Sequence, residues 1–217
     1  MDNSKLKTQN SKLKKIGVLV SGRGSNLQAL LDACAGGELA GLAEVALVIS
    51  NHADVLALER AAKAGVRTLI MERASYESKF AQHMAWALAL REAGIELVVT
   101  AGFDRIIDPQ ALCEFPGPVM NIHPSLLPAF GGGLHAVADA LAYGVKVSGC
   151  TVHFTTIDDA VDAGPIIAQA AVPVLDDDDG EKLAARILAE EHRLLVQAVA
   201  WWCQGRIRVQ ERRVYVE

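Results

Sequence analysis

Asn121 and His123 stand two positions apart in the run Val119-Met120-Asn121-Ile122-His123, whose other members are all apolar. Such a run reads as a buried strand, and because side chains on a strand alternate between faces, the two polar groups project the same way. Pro124 cannot donate to a sheet ladder and Pro128 follows four residues later, so the strand should end where the pair emerges. The C-terminal edge of an open parallel sheet is where such folds place their ligand crevices. An amide N–H that never changes charge, beside an imidazole that can be protonated, is a donor set suited to a developing oxyanion. A carboxylate close by would favour the imidazolium and relay a proton. Asp158, Asp159 and Asp162 in the loop 155–164 are the candidates. Asp162 is chosen because only it is followed by Ala163-Gly164-Pro165, where glycine permits a sharp turn and proline fixes the entry to the next strand.

These groups need a frame, and the chain supplies one by alternating short apolar runs with helical patterns. A strand at 16–20 runs into Ser21-Gly22-Arg23-Gly24-Ser25-Asn26 and then into Leu27, Leu30, Leu31 and Cys34 at helical spacing. Glycines let a ligand approach the backbone, and the free amides of a helix start favour an anion such as phosphate, with Ser25 and Asn26 able to add side-chain donors. A dinucleotide fingerprint is disfavoured, because Leu27 replaces its third glycine and the second strand, 45–50, ends in Asn51-His52 instead of a ribose-binding acid. The pattern continues with a helix at 54–64, a strand at 67–71, a helix at 76–93 stopped by Gly94, and a strand at 97–100. That strand runs into Gly102, which can let a ligand lie against the backbone. After the Asn-His strand come a glycine loop at 131–133, a helix at 136–143, strands at 147–154 and 165–174, and a long helix at 181–202. In that helix Leu183, Ile187, Leu194 and Val199 are expected in the core, with Trp201 and Trp202 as packing. Repeated βα units predict an α/β fold with a mostly parallel sheet and helices on both faces.

Composition narrows the class. At 217 residues, 51% of them hydrophobic, one core suffices, with residues 1–14 read as a disordered lead-in and 15–217 as a single domain. A net charge of -5 does not favour nucleic acid or an anionic membrane. Four scattered cysteines without CxxC spacing argue against zinc or a disulfide framework and fit a reducing cytoplasm. The acids 176–179 ahead of the long helix are read as a solvated cap, and no metal is assigned.

Five segments together resemble the glycinamide ribonucleotide transformylase (phosphoribosylglycinamide formyltransferase) family. They are Gly22-Arg23-Gly24-Ser25-Asn26-Leu27-Gln28-Ala29, Ser50-Asn51-His52-Ala53-Asp54, Ala101-Gly102-Phe103 with Arg105-Ile106, Asn121-Ile122-His123-Pro124-Ser125-Leu126-Leu127-Pro128, and Asp162-Ala163-Gly164-Pro165. The likeness runs from about Lys15 to the C-terminus. Its central motif is shared with methionyl-tRNA formyltransferase and formyltetrahydrofolate hydrolase, and the phosphate loop narrows the choice. The extra domains of those two enzymes are not expected in this length. The resemblance implies a Rossmann-like formyltransferase fold and transfer of a formyl group from 10-formyltetrahydrofolate, as cosubstrate, to the amine of glycinamide ribonucleotide in purine biosynthesis. It implies catalytic roles for Asn121, His123 and Asp162, phosphate contacts from Gly24, Ser25 and Asn26, and a ribose contact from Glu191. It further implies a pterin pocket edged by the backbone of Arg105, Ile106 and Ile107, a cis Leu127-Pro128 bond, and a cytoplasmic monomer or homodimer.

The alternatives are a related formyltransferase or hydrolase with another acceptor, and a silent nucleotide-binding domain, against which the Asn121, His123 and Asp162 set argues. Three departures stand out. Asp104 replaces the family's methionine and would bring an acid to the cleft, three successive glycines suggest a mobile flap, and the loop 155–164 is about two residues longer, the excess being expected as a bulge before Val161. His135 is read as a surface residue and His153 as structural.

Overall fold

A computed structural model describes residues 12–157 and 160–217. Most of the lead-in, together with Asp158, Asp159 and part of the proposed bulge, therefore lies outside the described residues. Nine strands form one sheet in the order β3-β2-β1-β4-β5-β6-β7-β9-β8. The strands are β1 Lys14–Val20, β2 Ala43–Ser50, β3 Arg67–Ile70, β4 Leu97–Thr100, β5 Val119–His123, β6 Val147–Thr155, β7 Ile166–Pro173, β8 Ile207–Gln210 and β9 Arg213–Val216. The helices are α1 Ser25–Gly36, α2 Leu56–Lys63, α3 Lys79–Glu92, α4 Pro109–Leu112, α5 Ala136–Tyr143 and α6 Gly180–Cys203, with a 3-10 turn at Arg73–Ser75. Strands β1 to β5 pair in parallel, as expected, whereas β5 to β7 run antiparallel.

Alternation along the strands divides the core in two. Ile16, Val18, Val20, Met120 and Ile122 face one way, into a cluster completed by Leu27 and Leu30 of α1, Ala57 of α2, and Leu183, Ile187, Leu194 and Val199 of α6. Leu19, Leu47, Ile49 and Val98 face the other way, against Trp86 and Leu90 of α3. Val119 belongs to this second face. Asn121 and His123, at the same parity, therefore emerge on it at the end of β5. Trp201 and Trp202 pack against the first cluster, as expected.

Two elements stand apart from simple apolar patterning. In α3 the spaced apolar residues turn outward, Phe80 being 42% and Leu88 55% exposed, while Gln82, His83 and Trp86 are buried. Gln82 donates to the Met71 carbonyl (2.6 Å), and His83 Nδ1 accepts from the Asp108 amide (2.9 Å), whereas His83 Nε2 and Trp86 Nε1 are buried without a partner. The C-terminal hairpin of β8 and β9 was not foreseen. It joins β7 at Ile166 and Arg213, and Arg212 donates to the Ala163 carbonyl, one residue past Asp162.

Candidate active site

Antiparallel pairing of β5 with β6 sets Asn121 opposite His153 and His123 opposite Thr151. His153, read from the sequence as structural, is thereby brought against the polar pair. Its Nδ1 faces the Phe154 carbonyl (3.0 Å) and so carries the proton, while burial pushes the ring below its ordinary pKa and keeps it neutral. Nε2 is then an acceptor, and at 3.0 Å it fixes the Asn121 amide with Nδ2 toward His153. Asn121 Oδ1 accepts from the Thr100 hydroxyl at 2.6 Å. One Nδ2 proton is thus taken by His153, and the second is directed at Asp162 Oδ1, 3.5 Å away.

Asp162 reaches this pair from the loop after β6. Its φ of 58° is left-handed, and Gly164 two residues on is required: a Cβ there would lie 1.8 Å from the Phe154 carbonyl oxygen. The carboxylate is 13% exposed and accepts from the Gly132 amide at 2.8 Å. Its other approaches are long: 3.4 Å to His123 Nδ1, 3.5 Å to Asn121 Nδ2 and 3.7 Å to His153 Nε2. His123 Nε2 lies 3.0 Å from the Phe130 carbonyl. Both ring nitrogens of His123 therefore face acceptors, an environment that the imidazolium satisfies. The glycine loop that the sequence marked as a flap is bonded to Asp162 through Gly132, and Phe130, just before it, faces His123. The Leu127-Pro128 bond is cis, as expected.

A cleft of about 700 Å³ opens over these groups, lined by Asn121, His123, Asp162 and, across from them, Gly102, Asp104 and the chain at Arg105, Ile106 and Ile107. Ile107 is buried in the second core cluster, whereas Ile106 is 53% exposed. Among the described residues, no group of three or more His, Cys, Asp or Glu is arranged to hold a metal ion, and no helix is long and apolar enough to cross a membrane.

The other candidates lie beyond the lining of this cleft, at the start of α1. Gly24 has φ +67°, and a Cβ on it would meet Ala57 Cβ at 2.6 Å, so its glycine is set by packing against α2 as well as by the turn. No side chain caps α1, which leaves its first-turn amides directed at the space before Ser25. The Asn26 Nδ2 donates to Glu191 Oε2 at 2.8 Å and ties α1 to α6. Glu191 is 7% exposed. Burial raises its carboxyl, offset in part by the Asn26 donor and by the charge of His123. The acids before α6 form a cap, with Asp179 accepting from the Lys182 amide and Asp178 held by Arg186. His135 is exposed at the start of α5.

The structure of glycinamide ribonucleotide transformylase 1 from Symbiobacterium toebii superposes with a TM-score of 0.89 at 50% identity, covering 94% of each chain. Phosphoribosylglycinamide formyltransferase of Mycobacterium tuberculosis is 49% identical over 183 residues, 84% of this chain and 82% of that protein. The trifunctional purine biosynthetic protein adenosine-3 of Drosophila pseudoobscura pseudoobscura is 45% identical over 195 residues, which are 90% of this chain but 14% of that longer protein. Residues 14–199 match the Formyl transferase family, and with these relatives the chain belongs to that family, among the phosphoribosylglycinamide formyltransferases.

Proposed function

We propose that the protein transfers the formyl group of 10-formyltetrahydrofolate to the amine of glycinamide ribonucleotide, a step of purine biosynthesis. The observation that carries this reading is the meeting of Asn121, His123 and Asp162 within 3.4 to 3.5 Å at one end of the cleft. The amine nitrogen attacks the formyl carbon, and the carbonyl electron pair moves onto oxygen. The second Asn121 N–H, only loosely held by Asp162, and the His123 Nδ1–H receive that charge where it develops. Asp162 favours the imidazolium and accepts the proton that the attacking amine loses, through water. The oxygen's electron pair then re-forms the carbonyl, the carbon–N10 bond breaks, N10 takes up the proton that the amine released, and the formyl group stays on the amine. The uncapped start of α1 at Gly24, Ser25 and Asn26 suits the substrate phosphate, Glu191 the ribose hydroxyls, and Gly102 the substrate's passage between them and the cleft. The donor's pterin lies along the backbone of Arg105, Ile106 and Ile107.

The test is to incubate the purified protein with 10-formyltetrahydrofolate, with and without glycinamide ribonucleotide. Formylated ribonucleotide and tetrahydrofolate should appear in equal amounts, and only with both substrates. Loss of formyl-folate without the ribonucleotide would mean hydrolysis instead, and no reaction under either condition would leave a binding domain.

A further inference from the structure

Asp104 lies at the point where the order of the sheet reverses, between β1 and β4. Its carboxylate does not stand free in the cleft. Oδ1 accepts from Asn51 Nδ2 at 2.7 Å and faces the Ser21 hydroxyl at 2.9 Å, while Oδ2 is 3.1 Å from His52 Nε2. The Asp104 amide donates back to Ser21 Oγ at 3.0 Å, and Ser21 Oγ also faces Asn51 Oδ1 at 2.7 Å. Ser21 closes β1, Asn51 and His52 follow β2, and Asp104 follows β4, so one side chain joins the ends of three strands. Asn51 is 5% exposed, and its amide would lose a charged partner without Asp104. Burial pushes the Asp104 carboxyl up, but the hydrogen bonds from His52, Asn51 and Ser21 outweigh it and hold the group below its ordinary pKa.

The segments so joined face different ligands. Ser21 leads into the loop at the start of α1, whereas Asp104 leads into residues 105–107 along the cleft. We infer that Asp104 is a positioning residue, whose carboxylate fastens the loop walling the formyl-donor side to the loops carrying the nucleotide side. This rests on the function proposed above. Methionine, the residue of the resembled family at this position, offers only a weakly accepting thioether to the Asn51 and His52 groups, so this chain sets the junction by a polar hub.

The test uses the full chain with Asp104→Ala and Asp104→Asn. In the alanine variant KM for both substrates should rise about tenfold, the scale of losing charged hydrogen bonds, with kcat within about threefold of wild type. Asp104→Asn keeps one accepting oxygen and should fall between the two. Amide hydrogen exchange without ligands should quicken together at 21–26, 51–52 and 102–107 in the alanine variant. Unchanged KM for either substrate, a kcat loss as large as the KM change, or exchange altered at 102–107 alone would overturn the inference. If the alanine variant does not fold, the asparagine variant decides by the same readouts. Exchange needs no turnover, so an inactive wild type would count against the proposed reaction and leave this test standing.

Discussion

Two aspartates that line the cleft, Asp104 and Asp162, are bonded in different ways. Asp104 meets Asn51, Ser21 and His52 at 2.7 to 3.1 Å, with Arg105 farther off at 3.5 Å. Asp162 has one short bond, from the Gly132 amide, and then approaches His123, Asn121 and His153 at 3.4 to 3.7 Å on a left-handed backbone. Short, complete bonding spends a carboxylate on holding loops. Long approaches leave hydrogen-bonding capacity unspent, and in unliganded sites catalytic bonds are often long and tighten only in the complex. On the function proposed above, the difference would separate a positioning acid from a catalytic one, although both line the same cleft.

The largest effect should come from the loosely bonded end. Asp162→Asn keeps the size of the side chain and removes the charge that favours the imidazolium and takes the proton. Turnover should fall by about 10²- to 10⁴-fold, with little change in ribonucleotide KM, as steady-state kinetics on both substrates will report. Next come the donors: Asn121→Ala and His123→Ala should each lower kcat by roughly 100- to 1000-fold in protein whose circular dichroism stays native. Near-normal turnover in either would remove that residue from the mechanism.

Away from the chemistry the effects shift from rate to binding. Asn26→Ala removes the donor that holds Glu191, so ribonucleotide KM should rise by about tenfold with kcat within a few-fold. Intact affinity with lost turnover would break the assignment of this end to binding.

The smallest effect concerns stability. Because burial raises the Glu191 carboxyl above its ordinary value of 4.5, the folded chain holds that proton more tightly than the unfolded chain does. Stability therefore falls as pH rises from the ordinary value through the raised one, and stays lower above it. Glu191→Gln should raise Tm relative to wild type at neutral pH, and the gain should vanish below the ordinary carboxylate range. A Tm gain independent of pH would point to packing instead.

The parallel half of the sheet was legible because each βα unit announces itself: β-branched runs alternate with helical spacing, and glycines punctuate them. The Asn121 and His123 pair was legible for the same reason, since strand parity alone puts both on one face. What stayed hidden depends on contacts distant in sequence. Nothing near His153 reveals that antiparallel pairing sets it opposite Asn121, 32 residues earlier. The Asn26 amide looks available for phosphate until α6 delivers Glu191 from 165 residues away. Asp104 reads in the sequence as an acid brought to the cleft, and its partners Ser21, Asn51 and His52 come from the ends of two other strands. The hairpin of β8 and β9 did carry a signal, the alternation of Ile207, Val209, Val214 and Val216 around Glu211-Arg212, which its arginines obscured.

The most direct test is a single-turnover measurement with both substrates saturating, comparing wild type, Asp104→Ala and Asp162→Asn. Saturation removes the binding deficit, so Asp104→Ala should form product at nearly the wild-type rate while Asp162→Asn remains slower by at least about 100-fold. If both variants were slowed alike, or Asp162→Asn kept the wild-type rate, the division between a positioning end and a catalytic end would be contradicted.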